Sequence, residues 1–69
     1  MFSYEFGTIE WMWGNGTIRL NLPGGVEQTQ NGGYQEVVDV LTGLGRQGWD
    51  VATCAAGGNW LFWTLRRQH

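Results

Sequence analysis

Few side chains in this 69-residue sequence could perform catalysis. The only serine is Ser3, the only cysteine is Cys54 and the only histidine is His69. A nucleophilic serine or cysteine needs a base within hydrogen-bonding reach, and neither residue has a histidine near it in the sequence. Cys54 also stands among alanines, where a cysteine is most often a small buried hydrophobe. We therefore expect a protein that is not an enzyme.

Ligands for a metal, a cofactor or a phosphate group are equally scarce. One cysteine and one histidine form no metal-binding spacing. Glu36 and Asp39 share a helical face, as charged side chains on a solvated surface usually do. Neither Gly24-Gly25 nor Gly57-Gly58 is followed by the lysine and helix start of a phosphate-binding loop. We expect neither a metal nor a cofactor.

The composition describes a small, aromatic-rich and mildly acidic chain. It contains five Trp, three Phe and two Tyr, and its four arginines stand against six acidic residues for a net charge of −2. This balance argues against a nucleic-acid binder that depends on phosphate contacts. No apolar run is long enough to span a membrane, and no basic segment precedes an apolar one as in a secretory signal. We expect one domain over residues 1–69, located in the cytoplasm.

The elements that must position these side chains begin with a hairpin over residues 2–22. Asn15-Gly16 tolerates the positive φ angles of a two-residue type I′ turn, and apolar residues alternate on both sides of it. The aromatic residues of segment 2–6 alternate out of phase with Ile9. Gly7 therefore either forms a bulge or leaves aromatic side chains on both faces of the strand. The predicted pairs are Trp13 with Ile18, Trp11 with Leu20, and Ile9 with Leu22.

A polar, glycine-rich loop is predicted over residues 23–33 and a helix over 34–47. Apolar residues recur in the helix at helical spacing, and Gly48 is well placed to end it. A second hairpin follows over 49–67, with a three-residue loop over 57–59; a two-residue loop would shift its pairs by one. The pairs predicted for it are Ala55 with Leu61, Thr53 with Trp63 and Val51 with Leu65 on one face, and Ala56 with Trp60 and Cys54 with Phe62 on the other. The order ββαββ predicts an α+β fold, in which one helix packs on one face of a four-stranded antiparallel sheet.

The segment that joins the helix to the second hairpin resembles a bacterial sequence signature. It reads Leu-Thr-Gly-Leu-Gly-Arg-Gln-Gly-Trp-Asp-Val over residues 41–51. The family catalogued as domain of unknown function 4177 has Leu-x-x-Leu-Gly-x-x-Gly-Trp-Glu-Leu-Val at this point. The Tyr4-Glu5-Phe6 segment, the Tyr34-Gln35-Glu36-Val37 helix entry and the aromatic strand over residues 61–67 are also similar. The resemblance implies a small α+β domain and no established activity.

The same motif has a structural interpretation that needs no family. Leu41 and Leu44 are predicted to pack the helix on the sheet, since an apolar helix face usually serves packing. Gly45 and Gly48 are predicted to let the chain turn sharply into the next strand. Trp49 then closes the end of a core that is too thin to be filled by aliphatic side chains alone.

The function is predicted from the sheet face that one helix cannot cover. In the predicted register, large rings stand beside small residues on that face, which is typical of an interface or a ligand site. We expect an interaction module that forms a homodimer or a larger homo-oligomer through this face or through a sheet edge. The predicted patch consists of Tyr4, Cys54, Ala56, Trp60 and Phe62.

Two other partners fit an aromatic patch of this kind. An accessory protein could use it to bind a peptide, a partner protein or a flat small molecule. A weaker alternative is single-stranded nucleic acid stacked on tryptophan, with phosphate contacts from Arg19, Arg46, Arg66 and Arg67. The Arg66-Arg67 pair is better explained as the solubilising end of an aromatic edge strand. We expect no membrane association.

Overall fold

The computed structural model describes residues 3–68 and confirms the α+β fold. These residues form one helix and a five-stranded antiparallel sheet. The strand order β3-β2-β1-β5-β4 makes β1 the central strand and leaves β3 and β4 at the edges. Phe2, which belongs to the predicted first hairpin, and His69 lie outside the described residues. The elements are β1 (Tyr4–Met12), β2 (Thr17–Leu22), β3 (Val26–Asn31), α1 (Tyr34–Arg46), β4 (Asp50–Ala56) and β5 (Trp60–Gln68).

Strand β3 corrects both the predicted four-stranded sheet and the predicted loop over residues 23–33. It pairs with β2, beginning at Leu22↔Val26. Gly24 and Gly25 form its turn with φ angles of 85° and 76°, which glycine adopts far more readily than other residues. All six residues of β3 are exposed, and Val26 is the only apolar one. The strand therefore lacks the apolar alternation by which a sequence indicates a half-buried strand.

The first hairpin has a four-residue connection in place of the predicted two-residue turn. Strand β1 ends at Met12, and Gly16, at φ 73°, donates its N–H to the Met12 carbonyl at 2.9 Å. Trp13, predicted to pair with Ile18, lies in this connection. A shift of two residues keeps each side chain on its predicted face, because side chains alternate with a period of two. The observed pairs are Trp11 with Ile18 and Ile9 with Leu20.

Gly7 lies in an uninterrupted strand, and no bulge forms there. Strand β1 pairs with β5 in a single register over its whole length. Aromatic side chains consequently lie on both faces of β1, which is one of the two arrangements that the sequence left open. Glycine leaves room here for its neighbours, because a Cβ atom would lie 2.8 Å from Leu22 Cδ2 and 3.0 Å from the Asn21 carbonyl oxygen.

The second hairpin departs from its predicted register next to the turn, by one residue. A β-bulge between Val51 and Thr53 restores the prediction farther along, where Val51 pairs with Leu65 as expected. The extra residue in the bulge also brings Val51 onto the same sheet face as Cys54. The observed pairs near the turn are Ala56 with Leu61, Ala55 with Phe62 and Cys54 with Trp63.

The hydrophobic core lies between α1 and one face of the sheet, which we call the helix-side face. The Trp11 indole anchors the start of the helix: its N–H donates to the Gly32 carbonyl at 3.2 Å, and its ring meets the Tyr34 ring edge-on at 4.8 Å. No helix between residues 3 and 68 has the length and apolarity to cross a membrane. The buried core residues are Ile9, Trp11, Ile18, Leu20, Val37, Leu44, Trp49 and Leu65.

Gly48 terminates the helix, as the sequence predicts. Gly48 has a φ of 92° and donates its N–H to the Gly45 carbonyl at 3.0 Å, while Trp49 donates to the Leu44 carbonyl at 3.1 Å. These two bonds define a Schellman motif, which is usually accompanied by an apolar contact between the residues at its two ends. Leu44 and Trp49 are both buried in the core. Gly45 is helical with open space where a Cβ would stand, so the turn does not require glycine there.

Strand β5 is an interior strand, so the prediction that Arg66 and Arg67 protect an edge strand is wrong. The Arg67 guanidinium forms an ion pair with Glu5 of β1. It also donates to the Gln47 carbonyl at 3.2 Å and lies 4.5 Å from the centre of the Trp49 ring. Arg67 thereby links two strands to the end of the helix.

Candidate interaction surface

The sheet face opposite α1 is the first candidate surface, because no other part of residues 3–68 packs on it. The core residues Ile9 and Trp11 occupy odd positions of β1, so the even positions point to the opposite side. Strand β5 follows the same alternation, since Glu10 pairs with Phe62. We call this surface the bare face. Its large apolar side chains are Tyr4, Phe6, Met12, Trp60 and Phe62.

Aromatic side chains on the bare face form two groups, one toward each end. Tyr4 and Phe6 are 46% and 57% exposed, and their ring centroids lie 6.4 Å apart. Trp60 and Phe62 form the other group and are half-buried. The pair Thr8↔Thr64 lies between the two groups. The structure thus leaves two aromatic groups, separated by polar side chains, on a face that no other described element covers.

Trp60 is held in place by the turn that precedes it. The Gly57 N–H donates to the Trp60 carbonyl at 2.9 Å, which closes the hairpin. A Cβ atom on residue 57 would overlap the Trp60 indole ring. Glycine at this position therefore allows the ring to lie directly against the turn.

Three of the five residues predicted for the patch lie on the bare face, Trp60 and Phe62 toward one end and Tyr4 toward the other. The other two, Cys54 and Ala56, lie on the helix-side face. The one-residue register difference near the turn is the reason, since a strand shifted by one residue turns each side chain to the opposite face.

Phe6 and Met12 belong to the bare face but were not predicted for the patch. The signal was present in the sequence, because both share the even positions of β1 with Tyr4. This signal assigns residues before Gly7 to a face only when β1 is known to continue through Gly7 without a bulge. A bulge at Gly7 would have placed Tyr4 and Phe6 on the helix-side face instead.

Two pairs of opposite charge lie on the bare face, and Glu27 of β3 lies on the same face without an ion pair to any described residue. Arg19 Nη1 lies 3.8 Å from Glu10 Oε1, and Arg66 Nη2 lies 4.0 Å from Asp50 Oδ2. The Arg66 guanidinium also lies 5.4 Å from the centre of the Tyr4 ring. Exposed pairs of this kind contribute little to stability. They do reduce the cost of covering this surface, because burying a charge without a partner is unfavourable.

An open depression of about 250 Å³ lies beside the Tyr4 end of the bare face. Its lining is mainly polar, whereas pockets that hold small molecules are mostly apolar with a few polar groups. Within residues 3–68, no three His, Cys, Asp or Glu side chains come together in a way that could hold a metal ion. The residues lining the depression are Tyr4, Gly48, Asp50, Arg66 and Gln68.

Strand β4 is the second candidate surface. It lies at the edge of the sheet, and all seven of its residues are exposed. From Val51 to Ala56 it carries no charged side chain. The Cys54 thiol is free and exposed, so the expectation of a buried cysteine is wrong.

No protein-family model matches this chain, and comparisons with curated proteins and with solved structures find no similar protein. The resemblance to domain of unknown function 4177 therefore stays a prediction. The bare face and the β4 edge are the features from which a function can be inferred.

Proposed function

We propose that the chain is a non-enzymatic interaction module that self-associates by stacking its bare face on the bare face of a second copy. The observation that carries this proposal is a sheet with its one helix on one side and Tyr4, Phe6, Trp60 and Phe62 on the other. Two sheets stacked at about 10 Å interdigitate such side chains and remove them from water. Their burial supplies the free energy of association.

The size of the bare face is compatible with a specific interface. Five strands spaced by about 4.8 Å, each about 25 Å long, give a face of roughly 600 Å². Two such faces bury roughly 1,200 Å² in total, which is the lower limit of stable protein–protein interfaces. The two ion pairs of a second copy are charge-compensated in the same way, and Glu27 lies on the edge strand β3, at the rim of the face.

A peptide or a flat small molecule is the second candidate for the bare face. The aromatic groups lie at two ends of a flat strip and do not converge on a concave pocket. The depression at the Tyr4 end is lined mainly by polar residues. This geometry favours a broad, flat partner such as another sheet. We regard ligand binding as the alternative that the experiments must distinguish.

Single-stranded nucleic acid has less support. Stacking on tryptophan requires arginines that are available to phosphate groups. Arg19, Arg66 and Arg67 each face a carboxylate within residues 3–68. Arg46 stands apart from them in the last turn of the helix.

The direct test is the molar mass of the assembly in solution, measured by light scattering during size-exclusion chromatography. We expect the wild type to exceed the 7.8 kDa of one chain at micromolar concentration. Phe6→Glu places a charge in the stacked face and should halve the mass of the assembly. The matched control is Val38→Glu on the exposed side of α1, where the replaced side chain is 52% exposed against 57% for Phe6. It should leave the mass unchanged.

A monomeric wild type at these concentrations would contradict the proposal. In that case, titration with peptides or flat aromatic molecules, followed by tryptophan fluorescence, tests the ligand alternative. Strong retention on a single-stranded DNA column that is lost with added salt would instead favour nucleic acid.

A further inference from the structure

We propose that β4 is a second and separate self-association surface, which pairs antiparallel with β4 of another copy to give a continuous ten-stranded sheet. The inference rests on the proposed function only for the choice of a second copy as the partner. The contacts that carry it are backbone hydrogen bonds at the sheet edge, and no side chain of the bare face takes part in them.

The outward-facing backbone groups of β4 can be assigned from the hairpin turn. The Gly57 N–H donates to the Trp60 carbonyl, so these two residues form a hydrogen-bonded pair. In an antiparallel ladder, such pairs alternate with pairs that exchange no bonds. In the observed register Ala55 therefore directs its N–H and C=O groups toward β5. Cys54 and Ala56 direct theirs outward, where residues 3–68 supply no further strand.

The two edges of the sheet differ in their protection. Natural edge strands avoid unwanted pairing through charged residues, proline or bulges. Strand β3 carries Glu27 and a run of polar side chains. Strand β4 has no charge or proline from Val51 to Ala56, and its bulge lies between Val51 and Thr53, at the end away from the turn. A regular, uncharged stretch over residues 53–57 is left open to pairing.

The free backbone groups and the regular stretch 53–57 together give the register of self-pairing. Outward groups must lie opposite outward groups, and the register centred on this stretch pairs Cys54 of each copy with Ala56 of the other. Ala55 of one chain then lies opposite Ala55 of the other, at the two-fold axis. This arrangement uses only the regular stretch, and Asp50 lies beyond it, so no like charges meet across the axis.

Edge pairing also enlarges the surface available for stacking. A two-fold axis that relates antiparallel edge strands is perpendicular to the sheet, so both bare faces lie on the same side. The joined face measures roughly 1,200 Å² per pair of chains, and two joined faces bury roughly 2,400 Å². Stacking alone reaches only the lower limit of stable interfaces, whereas the joined sheet exceeds it clearly. The expected assembly is therefore a tetramer of about 31 kDa, four times the 7.8 kDa chain.

The test variant is Cys54→Pro, which removes an outward N–H without removing a bond to β5. The matched control is Thr29→Pro on β3. Gly32 donates to the Gly16 carbonyl, and by the same alternation the Thr29 N–H also points away from its neighbouring strand. We expect Cys54→Pro to halve the mass and Thr29→Pro to leave it unchanged. Cys54→Pro combined with Phe6→Glu should give monomers.

A cross-link tests the register without disturbing the strand. In a non-hydrogen-bonded antiparallel pair the Cα atoms lie about 4.5 Å apart, within the range of a disulfide. Ala55→Cys in a Cys54→Ser background should therefore form a disulfide-linked dimer on mild oxidation. Thr29→Cys in the same background should not. Absence of the cross-link in folded protein would overturn the proposal.

The failures of the two proposals can be told apart by mass. A two-chain wild type that Phe6→Glu makes monomeric and Cys54→Pro leaves intact would overturn β4 pairing and keep face stacking. A two-chain wild type with the reverse responses would overturn face stacking and support β4 pairing. Circular dichroism confirms that each variant retains the fold before its mass is interpreted.

Discussion

Gly48 shows how one residue fixes the connection between the helix and the sheet. Its φ of 92° costs a residue with a Cβ atom roughly 1–2 kcal/mol. We expect Gly48→Ala to lower the free energy of unfolding by about that amount, measured by urea denaturation.

Gly45→Ala is the matched control for Gly48→Ala. Gly45 is helical and has open space around the missing Cβ, so alanine should raise the free energy of unfolding by about 0.5–1 kcal/mol. Equal effects at the two positions would contradict the assignment of the turn to Gly48 alone.

The role of Arg67 differs most from what was predicted from the sequence. Its side chain is 35% exposed, and its guanidinium contacts Glu5, Gln47 and Trp49. Because a charge-assisted hydrogen bond and a cation–π contact are lost together, Arg67→Ala should destabilise the chain by about 1–2 kcal/mol in urea denaturation.

Arg19→Ala serves as the comparison for Arg67→Ala. Arg19 forms a longer and more exposed pair with Glu10. Its loss should change stability by less than about 0.5 kcal/mol. A comparable loss at both positions would mean that Arg67 acts only as a surface charge.

At the scale of elements, the two edge strands should differ in hydrogen exchange. The Thr29 amide on β3 points to solvent, and we expect it to exchange quickly. The Ala56 amide on β4 also points outward in one chain but is hydrogen-bonded in the proposed assembly. It should exchange slowly in the wild type and quickly in Cys54→Pro, as measured by NMR. Rapid exchange of Ala56 in the wild-type assembly would argue against β4 pairing.

Elements with a strong local pattern were the predictable ones. Apolar residues at helical spacing placed the helix at residues 34–47, and the structure has it at Tyr34–Arg46. Alternation placed Ile9, Trp11 and Ile18 on one buried face although the pairing was two residues off. Strand β3 was missed because its polar residues carry no burial pattern.

At the scale of the whole molecule, association and stability should be coupled. Because other copies bind only the folded chain, its apparent stability rises with the protein concentration. A tenfold increase in protein concentration should raise the melting temperature of the wild type by on the order of 3–5 °C. Phe6→Glu combined with Cys54→Pro should remove this dependence, as measured by calorimetry. A wild-type melting temperature that stays constant over this range would contradict self-association.

The candidate surfaces were predictable only in part. The excess of aromatic residues indicated an uncovered face, and Tyr4, Trp60 and Phe62 lie on it. Cys54 and Ala56 were assigned to the wrong face because one residue in the turn length reverses a strand. The ring of Trp60 lies directly against Gly57 at this turn, a contact that no periodicity reveals.

The sequence by itself determined the helix, its end at Gly48 and the apolar face of the first hairpin. These features depend on neighbouring residues, whose spacing records which side chains are buried. The tertiary structure decided the strand order, the interior position of β5 and the exposure of β4. Those features depend on backbone hydrogen bonds between distant segments, and every residue except proline offers the same backbone groups, so side-chain patterns do not encode them.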